Sequence, residues 1–258
     1  MTVDLISALD RYFELVHATD DTLRMEAYRL RYQVYVLETG FERPDNCRIG
    51  IDQDGTPFSW EEDEFDWRSD HYLLRHRATG QYAATARLIL PHPDDGSEPF
   101  PIEAHCELEQ PVMDKAIRPR LGEISRFAVS KDFKKRRGEV GTLAGVAEDV
   151  ERYFEEDERR VLPHLSLGLF AAVMRMVHAH DISHSYAVME PALKRLLGRF
   201  GVVFDQIGPE TEYHGLRVPC LITAKDALDH IKKASPPVWD LITNRGTLLA
   251  GYGMEPII

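Results

Sequence analysis

Six charged positions sit where charge is poorly hosted. Arg87 falls inside the apolar run ATARLIL, and Glu123 and Arg126 flank Ser125 in GEISRF. Arg31 lies in a helical pattern, and Asp63 and Asp66 stand three apart in an acidic loop. An arginine in an apolar strand is costly to bury unless it is paired. Asp63, Asp66 and Glu123 are the carboxylates that could pair with Arg87 and Arg126. Two chemistries fit. One is a structural ion-pair network that holds the N-terminal region onto a sheet. The other is a site in which burial and neighbouring charges tune a carboxylate for acid–base work. These residues alone leave both open.

Other reactive side chains carry weaker signals. Cys47, Cys106 and Cys220 are odd in number and far apart, which argues against a disulfide framework or a CxxC metal site. His178 and His180 are two apart and fall on different helix faces, so no metal is expected. Glu190 precedes Pro191 and reads as a helix N-cap. Met174, Met176 and Met189 read as core or as lining of an apolar tunnel. Between Arg118 and Arg137 there are eight basic residues, opposed only by Glu123 and Asp132, in a chain of net charge −12. That overall charge argues against nucleic acid or an anionic membrane as partner. One basic patch on an acidic protein suits an acidic protein partner. A solvated charge run is the plain alternative.

The elements that must position these residues are legible in part. Residues 2–18 read as an amphipathic helix, with Ile6, Leu9, Phe13 and Val16 at helical spacing. Asp20, Asp21 and Thr22 offer caps for a second helix that runs to about Glu38 and stops near Gly40. Residues 43–60 read as loop. His71–Arg77 and Gln81–Leu90 read as a hairpin across Ala78-Thr79-Gly80. Residues 91–101 are loop, and a weak helix covers part of 102–118. A strand spans Gly122–Ser130, a loosely packed insertion 131–162, and a strongly apolar helix Leu165–Ala179. Ser183–Met189 is a strand, and a helix starts at Pro191. Further strands span Val202–Ile207 and Leu216–Thr223, and a last helix Asp226–Lys233 leads into a tail. At 258 residues, with 43% hydrophobic and 29% charged positions, the chain can bury a full core. It is read as one α/β domain over 1–258, with helices on both faces of a sheet and a C-terminal helical tail over 226–258. No run of about 18 apolar residues is present, and the N-terminus lacks the pattern of a signal peptide. A cytoplasmic location is expected.

Arg31-x3-Tyr35-x5-Phe41, Glu61-x-Asp63-x2-Asp66, Arg87 and Glu123-x-Ser125-Arg126-Phe127 together resemble the ordered pattern of the acyl-homoserine-lactone (autoinducer) synthases. Those enzymes usually carry Phe and Trp where this chain has Tyr35 and Phe41. The segment LGLFAAVMRMVHAHD is also similar to their central helix. The second half, with YAVMEPALKRLLGRFGVVFDQIG and EYHGLRVP, looks closer to a sister group. These are the PEP-CTERM/exosortase system-associated acyltransferases, which include long-chain N-acyl amino acid synthases. The resemblance spans roughly residues 20–225.

The resemblance implies a GNAT-like α/β acyltransferase fold. Its central mixed, mostly antiparallel sheet would carry helices on both faces and a V-shaped opening between two parallel central strands, here Gly122–Ser130 and Ser183–Met189. It implies transfer of a long-chain fatty acyl group from acyl carrier protein to the amine of an amino acid. Acyl-4′-phosphopantetheine would enter on the carrier, and no cofactor would be tightly bound. The chain lacks a Q/R-x-x-G-x-G/A pyrophosphate loop, which fits a carrier protein better than coenzyme A. Glu123 is the expected base, directly or through water, with Ser125 and Arg126 beside it. Neither Ser125 nor Cys106 is expected to act as nucleophile. Arg31, Glu61, Asp63, Asp66 and Arg87 would form an ordering network or hold the acceptor's carboxylate. Phe127, Ala128, Val129, Ser166 and Tyr186 would bind the acyl-pantetheine arm, the strand supplying a backbone N–H to polarise the thioester. The N-terminus of the helix from about Leu165 would face the donor. Lys131, Lys134, Lys135, Arg136 and Arg137 would dock the carrier. A synthase using S-adenosylmethionine, or a silent module that binds acyl chains or carrier protein, are the alternatives.

Overall fold

The computed structural model describes residues 5–109, 111–112, 114–133, 161, 164–212 and 215–248. The chain opens with α1 (Leu5–Tyr12), which passes directly into strand β1 (Phe13–His17). The single helix expected over 2–18 therefore ends early. FELVH alternates apolar and polar residues as well as it fits a helix, and pairing with β4 (Ser69–His76) along a sheet edge decides the matter.

Helix α2 (Asp21–Tyr32) is capped by Asp20, whose carboxylate accepts from the Leu23 N–H at 2.8 Å. It continues as a π-turn over Gln33–Glu38, and Gly40 follows at φ +67°. Glu38 fastens this turn to the sheet by accepting from Ser130 Oγ and the Lys131 N–H. The region expected to be loop over 43–60 holds a small hairpin, β2 (Arg48–Ile51) and β3 (Pro57–Trp60). The hairpin β4–β5 (Tyr82–Ile89) forms where expected. Within 102–118 the described residues are α-helical only in the short α3, Pro101–His105, and a 3-10 turn begins at Arg118.

Strand β6 (Leu121–Val129) pairs antiparallel with β5 and parallel with β7 (His184–Met189). The main sheet runs β1-β4-β5-β6-β7-β10-β8, with β8 (Asp205–Gln206) and β10 (Leu216–Thr223); β9 (Thr211–Glu212) also pairs β10. The strand expected over 202–207 is thus two residues long. Helix α4 (Leu165–Ala179) is apolar almost all round and packs on β4, β5 and β6. Helix α7 (Pro236–Thr243) covers α4 in turn, reached from β10 through α6 (Ala224–Ala234). α2 covers the other face of β4 and β5, burying Ala27, Leu30 and Val34 against Leu73 and Ala128. The fold is α/β with a mixed, mostly antiparallel sheet and one parallel pair near its centre.

Candidate active site

A β-bulge sets the geometry of the site. Thr85 faces Ala128 and Arg87 faces Ser125, so Ala86 alone spans Arg126 and Phe127 on β6. Arg126 takes φ +49° to make the bulge, a conformation that costs a non-glycine residue of order 1 kcal/mol. Ile124 and Phe127 then pack into the core under α4, while Ser125 and Arg126 both face the α2 side. Strong ion pairs hold Arg126 there.

Three arginines meet three carboxylates on that side. Arg31 grips Asp66 with two hydrogen bonds, Nη1 to Oδ1 at 2.7 Å and Nη2 to Oδ2 at 3.0 Å, and its Nε donates to Glu61. Arg87 donates through Nη1 to Asp63 at 2.6 Å and to Asp66 at 2.8 Å, and through Nε to Ser125 Oγ at 2.9 Å. Arg126 Nη2 donates to Glu61 at 2.8 Å and to Asp63 at 2.9 Å. Burial opposes ionisation of Glu61 and Asp66, but Arg31 with Arg126, and Arg31 with Arg87, outweigh it and hold both carboxyls far below the ordinary range. Asp63 is lowered in the same way, burial again being outweighed by Arg87. His71 lies beneath this network opposite Arg87, kept neutral by burial first and by Arg31 second.

Glu123 stands apart from the network and behaves in the opposite sense. It is buried on β6, and its Oε2 accepts from the Ile102 N–H at 3.0 Å. Burial pushes its carboxyl up to about 7, against the Ile102 N–H and the Arg87 charge, which pull it down. A carboxyl titrating near neutrality can take and return a proton at working pH.

The β6–β7 pairing ends at Ile124 and Ala187, and beyond it the strands part. A cavity of about 250 Å³ opens at the split. Its polar wall includes Tyr35, Asp63, Arg87, Glu123 and Arg126, and its apolar wall Phe127, Phe170, Leu197 and Phe204. Burial raises the Tyr35 phenol to about 12, so it enters the cavity as a neutral donor. The polar wall lies on the α2 side and the apolar wall on the α4 side, so the cavity passes through the sheet.

Several expected positions fall elsewhere. Arg31 is fully buried, wholly engaged by carboxylates, and does not line the cavity, so it cannot hold an acceptor. Glu61 and Asp66 are likewise behind the wall. Of the five residues expected to contact the pantetheine arm, only Phe127 lines the cavity. Ala128 and Val129 pack into the cores on the two faces. Ser166 is half-buried in the first turn of α4, which meets the cavity only at Phe170. Tyr186 is fully buried, and its hydroxyl accepts from the Val112 N–H at 2.6 Å and donates to Glu103 at 3.3 Å. It pins the segment after α3 onto the sheet, a long-range contact with no local signature. Glu190 occupies the N-cap position of α5 (Pro191–Gly198) but caps nothing with its side chain, which lies 3.5 Å from Arg217 Nη1. Lys131 is exposed, whereas Lys134, Lys135, Arg136 and Arg137 lie outside the described residues. Arg217 lines the cavity and is missing from the expected site, although an arginine in the apolar run LRVPCLIT carries the same signal as Arg87.

Residues 30–144 match the family model described as an acetyltransferase (GNAT) domain. That segment is a GNAT-type domain, and the protein is an acyltransferase. In this acyltransferase the parting of β6 and β7 is the V-shaped opening expected of the fold. Solved structures of three proteins are similar in fold. BjaI, a CoA-dependent acyl-homoserine lactone synthase solved with MTA, is 17% identical, with 86% of this chain and 88% of that one covered and a TM-score of 0.54. TofI, in a ternary complex with an inhibitor and MTA, is 18% identical over 88% and 99% of the chains, with a TM-score of 0.52. FeeM, an N-acyl amino acid synthase from uncultured soil microbes, is 14% identical over 84% and 93%, with a TM-score of 0.51. At these identities the likeness is one of fold. No curated protein matches the sequence. Among the described residues no helix is long and apolar enough to cross a membrane.

Proposed function

We propose that this acyltransferase moves a long-chain acyl group from a phosphopantetheine thioester, carried on acyl carrier protein, to the amine of an amino acid. The observation that carries the reading is Glu123, a buried carboxyl poised near neutrality on the wall of a cavity that crosses the sheet. An amine can approach from the polar side. An acyl chain fits the apolar side, against Phe127, Phe170, Leu197 and Phe204. No described strand pairs with the β7-side edge of β6 beyond Ile124, so the backbone there is open to a pantetheine amide or a thioester oxygen.

The step balances without a covalent enzyme intermediate. Glu123, directly or through water, takes a proton from the acceptor ammonium. The nitrogen lone pair attacks the thioester carbon, the C–N bond forms, and the C–S bond breaks. The departing sulfur takes up the proton held by Glu123, and the nitrogen loses its second proton to water, giving an amide, a free pantetheine thiol and one proton released to solvent. The ion-pair network keeps the wall rigid. By engaging Ser125 and Asp63 it also fixes Arg87 beside the base.

Carrier protein rather than coenzyme A is favoured by the missing pyrophosphate loop and by the basic block that follows β6. The reaction would then take place in the cytoplasm, where a carrier-bound donor is made. The relation to the PEP-CTERM/exosortase-associated group rests on the sequence resemblance of the second half. Mass spectrometry of lipid extracts from cells overexpressing the protein tests the reading. New N-acyl amino acids are expected, absent when Glu123→Gln is expressed. Lipid extracts identical to those of control cells would contradict it.

A further inference from the structure

Given an amine acceptor at Glu123, we infer that Arg217 selects the acceptor by pairing with its α-carboxylate. Three described arginines line the cavity, and two of them are committed. Arg87 binds Asp63, Asp66 and Ser125, and Arg126 binds Glu61 and Asp63. Arg217 differs. Among the described residues it donates one hydrogen bond, from Nη1 to the carbonyl of its neighbour Leu216 at 3.2 Å. Glu190 Oε1 stands 3.5 Å from the same nitrogen, and the Phe41 ring lies 5.4 Å from the guanidinium carbon. A guanidinium carries five N–H donors in a planar fork. This one, buried on a cavity wall, has donors that no described residue takes up and that can grip a planar anion.

Its position relative to Glu123 suits a small zwitterion. Val218 pairs with Met189 and packs into the core on the α4 side, so Arg217 faces the α2 side, as Glu123 does. Glu123 pairs with Tyr186, four residues before Glu190, the residue next to Arg217 across the sheet. Strand spacings of ~3.3 Å per residue and ~4.8 Å per strand put the two α-carbons ~16 Å apart. A glutamate reaching ~4 Å and an arginine reaching ~7 Å can close most of that gap, leaving room for an ammonium and a carboxylate bridged by one carbon. The donor's phosphate is a poorer occupant. The split through which the thioester arm would pass is separated from Arg217 by β7, and Glu190 repels a dianion more than a single carboxylate.

The assignment rests on the N-acyltransferase reading, and acylation assays separate the two. The purified full chain is given palmitoyl-carrier protein and a panel of α-amino acids, each beside its α-amide. Wild type is expected to favour the acid over the amide. Arg217→Met should raise the acceptor KM by roughly 10- to 100-fold, the range for a lost charge-assisted pair, and abolish that preference without moving the donor KM. Arg217→Met/Glu190→Gln should behave alike, and it removes the carboxylate that the single variant would leave unpaired. A wild-type enzyme that acylates acid and amide equally well would overturn the assignment and leave the N-acyltransferase reading intact. So would a folded variant that keeps the preference, or one that raises the donor KM instead. Failure to acylate any amine would remove the reading, and the assignment with it.

Discussion

Replacing Glu123 with glutamine is expected to make the protein more stable in mild alkali while nearly abolishing its chemistry. Folding raises this carboxyl from 4.5 to about 7, chiefly through burial. A group raised by folding adds stability below its unfolded pKa and loses it as pH climbs through the folded value. The wild type therefore gives up stability between about pH 4.5 and 7, and above that range holds an ionised carboxylate in a buried site. At ~1.4 kcal/mol per tenfold change in proton affinity, the span corresponds to about 3 kcal/mol. The substituted amide has no such charge, and its side-chain carbonyl can still accept from the Ile102 N–H. Urea denaturation at pH 5 should show variant and wild type close together. At pH 8 the variant should be the more stable by up to about 3 kcal/mol, with an unchanged slope against denaturant. Turnover should fall about 10²- to 10⁴-fold. Stability curves that stay parallel from pH 5 to 8 would refute the raised carboxyl, and near-normal turnover would remove Glu123 as base.

Four further outcomes follow from the same geometry. Arg87→Met leaves Asp63 and Asp66 short of a buried partner and should cost about 3–5 kcal/mol in chemical denaturation. The lowered carboxyls of Glu61, Asp63 and Asp66 act in the sense opposite to Glu123: their stabilisation is present above the ordinary carboxylate range and is lost as pH falls below it, which acid titration followed by circular dichroism will register. Leu197→Trp on the apolar wall should shift products to shorter acyl chains when a mixture of acyl donors is offered and products are weighed by mass spectrometry. Reversing Lys134, Lys135, Arg136 and Arg137 to Glu should raise the KM for acyl carrier protein severalfold at low salt with little change at saturation, because charge complementarity acts mainly on association.

The site's polar wall is legible in the sequence because burying charge is expensive. Arg87 in ATARLIL demands carboxylates, and Asp63 and Asp66 supply them. The same demand points equally to Arg217, whose partners come from Glu190 and Phe41 far away in sequence. The role of Tyr186 is not legible: period-two alternation gives its face of the sheet, but only the long-range fold places the segment after α3 over it. Alternation also cannot separate helix from strand at Phe13–His17, where edge pairing with β4 decides. The bulge at Arg126 explains the imperfect alternation of GEISRFAVS, since one extra residue moves the pattern to the other face.

The proposed reaction is acyl transfer from a carrier-bound thioester to an amine under the control of Glu123. The most direct measurement incubates purified protein with palmitoyl-carrier protein and the amino-acid panel, S-adenosylmethionine included, and follows free carrier thiol and amide product together across the neutral pH range. Equal amounts of thiol and N-acyl amino acid are expected, with kcat/KM rising with pH through an inflection near 7 that Glu123→Gln abolishes. Thiol released with free fatty acid instead of amide, or an inflection that survives in the variant, would contradict it.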